Sequence, residues 1–190
     1  RVRTDRVEGF QLDRGFQVLL TAYPDARELL DFEKLELNSF IPGAQIRLNG
    51  EFHRVADPWR RPSDCLQSVF NPIGTFKDKL LIGKLRQIVT SGSLESLYKK
   101  KEQSTAEFLR QFGFSKSMID RFFRPFFGGV FFDRSLSTSI KMFEFTFRMF
   151  STGDTALPAA GMGAITQQLA EKIGKSNIQF NCRAASIKDN

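Results

Sequence analysis

Apolar and polar residues alternate near the start of the chain, with Val2, Thr4, Phe10 and Leu12 on one phase and Glu8-Gly9 between the two runs. A period of two broken by a turn signal predicts a β-hairpin, closed by Gly15. Phe16 to Leu20 continue as an apolar segment, and Pro24 is placed to open a helix through Arg27, Leu29 and Leu30, because proline suits a first helical position. A second hairpin is predicted over Ala44 to Val55. Its Asn49-Gly50 pair tolerates the two positive φ angles of a type I′ turn, and Ile46 and Leu48 would then alternate against Phe52 and Val55.

From Pro58 the period lengthens toward 3.6. Pro62-Ser63-Asp64 predicts a short helix through Val69; Gly74-Thr75 leads a longer one carrying Phe76, Leu80, Leu81, Ile82, Leu85, Ile88 and Val89 up to Ser91-Gly92. Ser93, Ser104-Thr105 and Ser115 each mark a further helix start, and Gly113 a helix end. The helix from Ser115 runs into RFFRPFFGGVFFD, where Phe122 and Phe126 form one ridge and Phe123 and Phe127 another. Pro125 should kink or end it near Arg121, and Gly128-Gly129 would admit a backbone or a ligand at close range. In the next helix Phe143, Phe147 and Phe150 lie beside Met142, Phe145 and Met149. Such a wide apolar face must be covered on several sides. Periodicity alone reads these phenylalanines as core. The chain then passes through Leu157-Pro158-Ala159-Ala160-Gly161-Met162-Gly163 into a helix with Ile165, Leu169 and Ile173 on its apolar face, ended by Gly174. Ile178 to Phe180 and Ala184 to Ile187 read as strands.

Composition narrows the function classes. Of 190 residues 41% are hydrophobic, and 21 are Phe against one Trp and two Tyr. That is ample to offset ordering entropy, so a disordered chain is excluded; Phe has no polar handle and suits dry interiors or oily ligands. No apolar run approaches the roughly 20 residues of a membrane span. The formal charge is +7, but the bases are interleaved with acids, and the one dense run, Tyr98-Lys99-Lys100-Lys101, reads as a solvated helix end rather than a nucleic-acid patch. Cys65 and Cys182 stand far apart without the spacing of a zinc site or a disulfide framework, which makes a reducing compartment the default. His53 is the sole histidine and falls in a predicted strand as a structural residue. No Ser/His/Asp set, carboxylate pair or metal cluster can be assembled.

Three segments carry a resemblance: RVRTDRVEGFQLDRGFQVLLTAYPDA, RFFRPFFGGVFFDRSLSTS and LPAAGMGAITQQLAEKI. Together they resemble the flavin-dependent amine oxidase and phytoene-desaturase-like superfamily of FAD oxidoreductases. The resemblance implies an α+β protein in which residues 1–42 and 156–190 are pieces of an FAD-binding domain. Residues 43–155 would form a mainly helical substrate domain with a β-hairpin. The glycine-rich loop that takes the FAD pyrophosphate is expected upstream of Arg1, so these residues alone would be inactive and would not hold FAD. By the same resemblance Arg1, Arg14, Gly15, Phe16, Gln17, Gly161, Met162 and Gly163 are cofactor-binding residues. Ala160 replaces a glycine of the common family form, with some crowding of the backbone expected. Phe122, Phe123, Phe126, Phe127, Phe143 and Phe147 would divide between core and the lining of a substrate cavity. The implied substrate is an apolar or amine small molecule, oxidised or desaturated by hydride transfer to FAD, and the implied setting is a bacterial cytoplasm or a plastid. Nucleic acid is not an expected partner, and peripheral membrane contact is allowed. The competing reading is a non-catalytic, Phe-rich helical module that binds lipid or a membrane surface.

Overall fold

The computed structural model describes residues 2–15, 18–57, 59–60 and 71–186. Helices and strands are mixed along the chain, which divides into two compact units: Arg1–Ser39 with Ala156–Asn190, and Phe40–Thr155. The first unit opens with the expected hairpin of β1 (Arg3–Val7) and β2 (Phe10–Arg14), paired from Arg3↔Arg14 to Val7↔Phe10. After β3 (Leu19–Leu20), Pro24 begins α1 (Pro24–Leu29), as its fixed φ favours. Asp31 caps α2 (Phe32–Leu35) by accepting from the Lys34 amide at 3.2 Å, and β4 (Leu37–Ser39) follows.

The second unit starts with β5 (Gly43–Leu48) and β6 (Glu51–Ala56), turned at Asn49 and Gly50 with φ of 53° and 87°. Its register corrects one expectation. Ile46 lies opposite His53, Leu48 opposite Glu51 and Ala44 opposite Val55, so Phe52 pairs with Arg47 on the other face and stays exposed. A two-residue loop fixes register, and a shift of one position exchanges the faces. The helix expected at 62–69 lies outside the described residues.

α3 (Phe76–Thr90) has a reciprocal capping box between Thr75 and Asp78. Ser93 caps α4 (Leu94–Tyr98), Ser104 caps α5 (Thr105–Phe112), which stops at left-handed Gly113, and Ser115 caps α6 (Lys116–Met118). Proline at 125 does not end this last helix. A π-helical turn over Ile119–Phe123 leads into α7 (Arg124–Val130), and the Arg124 amide donates to the Ile119 carbonyl five residues back. The wider turn re-registers the ladder just ahead of the missing proline donor, so the chain stays helical where a strict α-ladder would break.

α8 (Ile140–Thr152) crosses this layer, and Leu85, Val89, Leu109, Phe123, Phe127 and Phe143 form a core with almost no exposure. Glu144, 1% exposed on α8, receives the Lys100 ammonium on both carboxylate oxygens at 2.7 and 2.8 Å. One lysine of the basic run is therefore an internal counter-ion rather than a solvated charge. Lys100→Met is expected to destabilise this unit by about 2 kcal/mol. That is below the usual cost of orphaning a buried charge because water reaches the Lys100 end. Lys100→Met with Glu144→Met should recover most of the loss. Urea midpoints of the single and double variants check both expectations.

The chain returns to the first unit in β7 (Thr155–Pro158), the middle strand of a three-stranded sheet ordered β3-β7-β4. α9 (Gly163–Ile173) follows, and Leu19, Leu35, Met162 and Ile165 make a second core. Gln168 of α9 exchanges two hydrogen bonds with the Asp31 backbone, at 2.9 and 3.0 Å, tying α9 to the start of α2. Beyond a 3₁₀ turn (Lys175–Asn177) the strands expected at Ile178–Phe180 and from Ala184 are absent among the described residues. Phe180 is exposed there, and an apolar triplet without a partner strand has no ladder to join.

Candidate functional site

The hairpin β1–β2 inverts the ordinary use of its faces. Val7, Phe10 and Leu12 are exposed, whereas Thr4, Gln11 and Asp13 point toward the segment that leads into α9. Thr4 and Asp13 face one another across the ladder, and the Thr4 hydroxyl donates to Asp13 Oδ1. That same Oδ1 accepts the Met162 amide at 2.9 Å, and Thr4 Oγ1 accepts the Gly163 amide at 2.8 Å. The four groups form a closed ring of hydrogen bonds. Met162 occupies the N-cap of α9 and has no side-chain oxygen, so the helix borrows its cap from the hairpin. The Asp13 carboxylate also lies at the positive end of the helix dipole, where a negative charge is stabilised.

The glycines are what let the hairpin come this close. Gly161 has φ +86°, and a Cβ there would stand 2.5 Å from Thr4 Cγ2 and 2.9 Å from Asp13 Oδ1. At Gly163 a Cβ would meet the Thr4 backbone nitrogen at 2.9 Å. Ala160, where crowding was expected, is an exposed turn residue.

This loop does not fit the phosphates of a dinucleotide. Every amide from Gly161 to Ile165 already has an acceptor within the chain: Pro158 O, Asp13, Thr4, Gly161 O and Met162 O in turn. A further anion would also face the Asp13 carboxylate. Gly161, Met162 and Gly163 thus hold the hairpin in place, and their donors are spent. Of the other expected cofactor residues, Arg14 and Gly15 are exposed at the end of β2. Arg14 is ion-paired with Asp5, which also pairs with Arg3 at 2.8 Å, and Gly15 has φ +103°. An exposed, Cβ-free backbone at Gly15 fits the edge of a planar ring system. Arg1, Phe16 and Gln17 lie outside the described residues.

In the second unit Phe123, Phe127, Phe143 and Phe147 are buried members of the core, not cavity lining. Phe127 and Phe143 meet edge to face with centroids 4.8 Å apart, an arrangement that adds to area burial. Phe122 and Phe126 are half-buried, stacked with centroids 5.9 Å apart and planes 5° from parallel. Of the six, these two alone keep aromatic surface available to a ligand.

A family model for flavin-containing amine oxidoreductases matches residues 1–190. The chain belongs to that family. Neither the curated proteins nor the solved structures gave a match. In this member of the family the Thr4–Asp13 clamp is the feature that sequence reading missed. The signal for it was a methionine at an N-cap position, with Thr and Asp held at partnered positions of a hairpin about 150 residues away.

Proposed function

We propose that this chain is part of an FAD-dependent oxidoreductase that oxidises or desaturates an apolar or amine substrate by hydride transfer. The family match over the whole 190 residues carries the reading. When bound, the flavin supplies the electron-pair acceptor, and the protein's tasks are orientation and exclusion of water. On this reading the Arg1–Ser39 and Ala156–Asn190 unit is FAD-binding, with Arg14 and Gly15 beside the cofactor. The Thr4–Asp13 clamp fixes the hairpin that carries them. The helical unit binds substrate, and the stacked Phe122 and Phe126 supply its aromatic surface.

Because the amides at the start of α9 are occupied within the chain, the pyrophosphate must be gripped by another segment. The 190 residues alone are expected to bind FAD about 100-fold more weakly than the same residues joined to a glycine-rich dinucleotide loop, a difference of roughly 2.7 kcal/mol. Isoalloxazine absorbance and fluorescence on titration report both affinities. Tight binding by the 190 residues alone would overturn this division of labour. Absence of flavin binding by the joined protein would overturn the oxidoreductase reading itself.

A further inference from the structure

α7 ends in an unusual way. The Phe131 amide donates to Phe127 O at 2.9 Å and the Asp133 amide to Gly128 O at 3.1 Å, five residues back in the manner of a Schellman turn. The residue that must turn left-handed in such an ending is normally glycine. Here it is Phe132, at φ +54° and 97% exposed. A bulky side chain in this region is a real outlier, and a ring left in water forgoes its burial. Two unfavourable choices coincide at one residue.

The ring is nevertheless presented on a stiff support. The Asp133 carboxylate accepts from the amides of Ser135 and Thr138 at 3.0 and 2.9 Å and from the Ser137 and Thr138 hydroxyls at 2.9 and 3.1 Å. Gly128 lies so close to the returning strand of the loop that a Cβ would be 3.3 Å from Arg134 Cα. Arg124 donates from its guanidinium to the Arg134 carbonyl at 2.5 Å. Beside Phe132 is an open concavity of about 500 Å³, lined also by Arg124, Pro125, Gly128, Gly129 and Arg134. Arg124 is paired with Asp120 at 3.2 Å, Arg134 has no ion pair among the described residues, and the Asp133 carboxylate is turned into its own loop. The neighbouring Val130 is 40% exposed.

We propose that Phe132, flanked by Arg124 and Arg134, is a docking tip for a bilayer carrying anionic phospholipids. The ring enters the boundary between headgroups and acyl chains, and the guanidinium groups meet lipid phosphates. Charge complementarity selects this occupant: the chain is +7 overall, and arginine's planar fork matches phosphate. A lone projecting ring with a cationic rim suits an interface that closes around it, while a protein partner would call for a broader apolar patch. No helix among the described residues is long and apolar enough to cross a membrane, so the contact is peripheral. The inference does not depend on flavin binding.

Co-sedimentation of the full chain with vesicles of phosphatidylcholine, with and without phosphatidylglycerol, tests it. Binding is expected with the anionic vesicles only and should weaken as salt is raised. Phe132→Gly should lower the partition coefficient at least about tenfold while raising Tm by a few degrees, since glycine suits the left-handed position. That opposite movement separates a docking residue from a structural one. Arg134→Gln should lower it about fivefold with Tm unchanged. Failure of the wild-type chain to bind anionic vesicles overturns the proposal, and so does undiminished binding by Phe132→Gly. Two further results would also overturn it: a dimer that Phe132→Gly dissociates, or inorganic phosphate raising Tm through Arg134, in either case with no vesicle binding.

Discussion

Asp78→Ala is expected to destabilise the helical unit by about 4 kcal/mol, more than most single substitutions do. Asp78 is 1% exposed, and its carboxylate accepts from the Thr75 amide and hydroxyl at 2.6 and 2.7 Å and from the Ser115 amide and hydroxyl at 2.7 Å each. One side chain therefore closes the capping box of α3 and braces the residue that caps α6. Alanine would open the capping box and free the Thr75 and Ser115 hydroxyls that cap the two helices, weakening each cap by up to about 1 kcal/mol, and leave the Thr75 and Ser115 amides unsatisfied, at about 1–3 kcal/mol apiece. The same geometry fixes the sign of the pH dependence. Burial by itself would push this carboxyl up, but the hydrogen bonds from Ser115 and Thr75 outweigh it and hold the group below its ordinary value. A carboxyl depressed in the folded state stabilises fully above its unfolded value near 4, and that contribution is lost as pH falls through and below it. Urea midpoints should be flat above about pH 5 and decline below. In Asp78→Asn the midpoint should be lower at neutral pH and the acid decline shallower. An unchanged acid limb in Asp78→Asn would show that other carboxylates govern it.

The elements that could be read from the chain are those whose determinants are local. Ser93, Ser104 and Ser115 cap helices because a hydroxyl reaches an amide three residues on, and Asn49-Gly50 turns a hairpin through its own φ preferences. What escaped the sequence depends on partners far along the chain. Asp13 looks like the polar phase of an ordinary hairpin, and Thr4 like a partner of Val2, Phe10 and Leu12, until α9, built from residues 163–173, arrives to claim them both on one face. Lys100 looks like part of a solvated basic run until Glu144 is found behind it. Pro125 looks like a helix breaker because local sequence does not disclose that the preceding turn has widened. Phe132 escaped for another reason: propensity argues against a phenylalanine in the left-handed region, so a residue kept for contact outside the fold is the kind that local rules misplace. The candidate site was legible as a set of glycines beside a hairpin. Their work, making room for Thr4 and Asp13, was not.

Gly161→Ala is the second substitution expected to have a large effect, because two costs add there. An alanine at φ +86° is strained by about 1 kcal/mol, and its methyl would overlap both Thr4 Oγ1 and Thr4 Cγ2, the latter at 2.5 Å. The overlap cannot be relieved by a side-chain rotation at 161, since alanine has none. Either β1 or the loop must move, and the Thr4–Gly163 and Asp13–Met162 hydrogen bonds lengthen together. Counting the strain, two weakened bonds and an uncapped α9, the loss should reach about 4 kcal/mol, or roughly 10 °C in Tm for a chain of this size. Gly163→Ala should cost less, since its backbone carries no left-handed penalty and its nearest contact is 2.9 Å. Two measurements identify the cause. Amide exchange should accelerate first at Met162 and Gly163, whose acceptors are Asp13 and Thr4. Thr4→Ala, which deletes both Thr4 atoms that the new methyl would strike, should cost less in Gly161→Ala than in the wild-type chain, giving a favourable coupling in the double-mutant cycle. Strict additivity would mean that the glycine is required for its φ alone and that the hairpin's approach has no share in it.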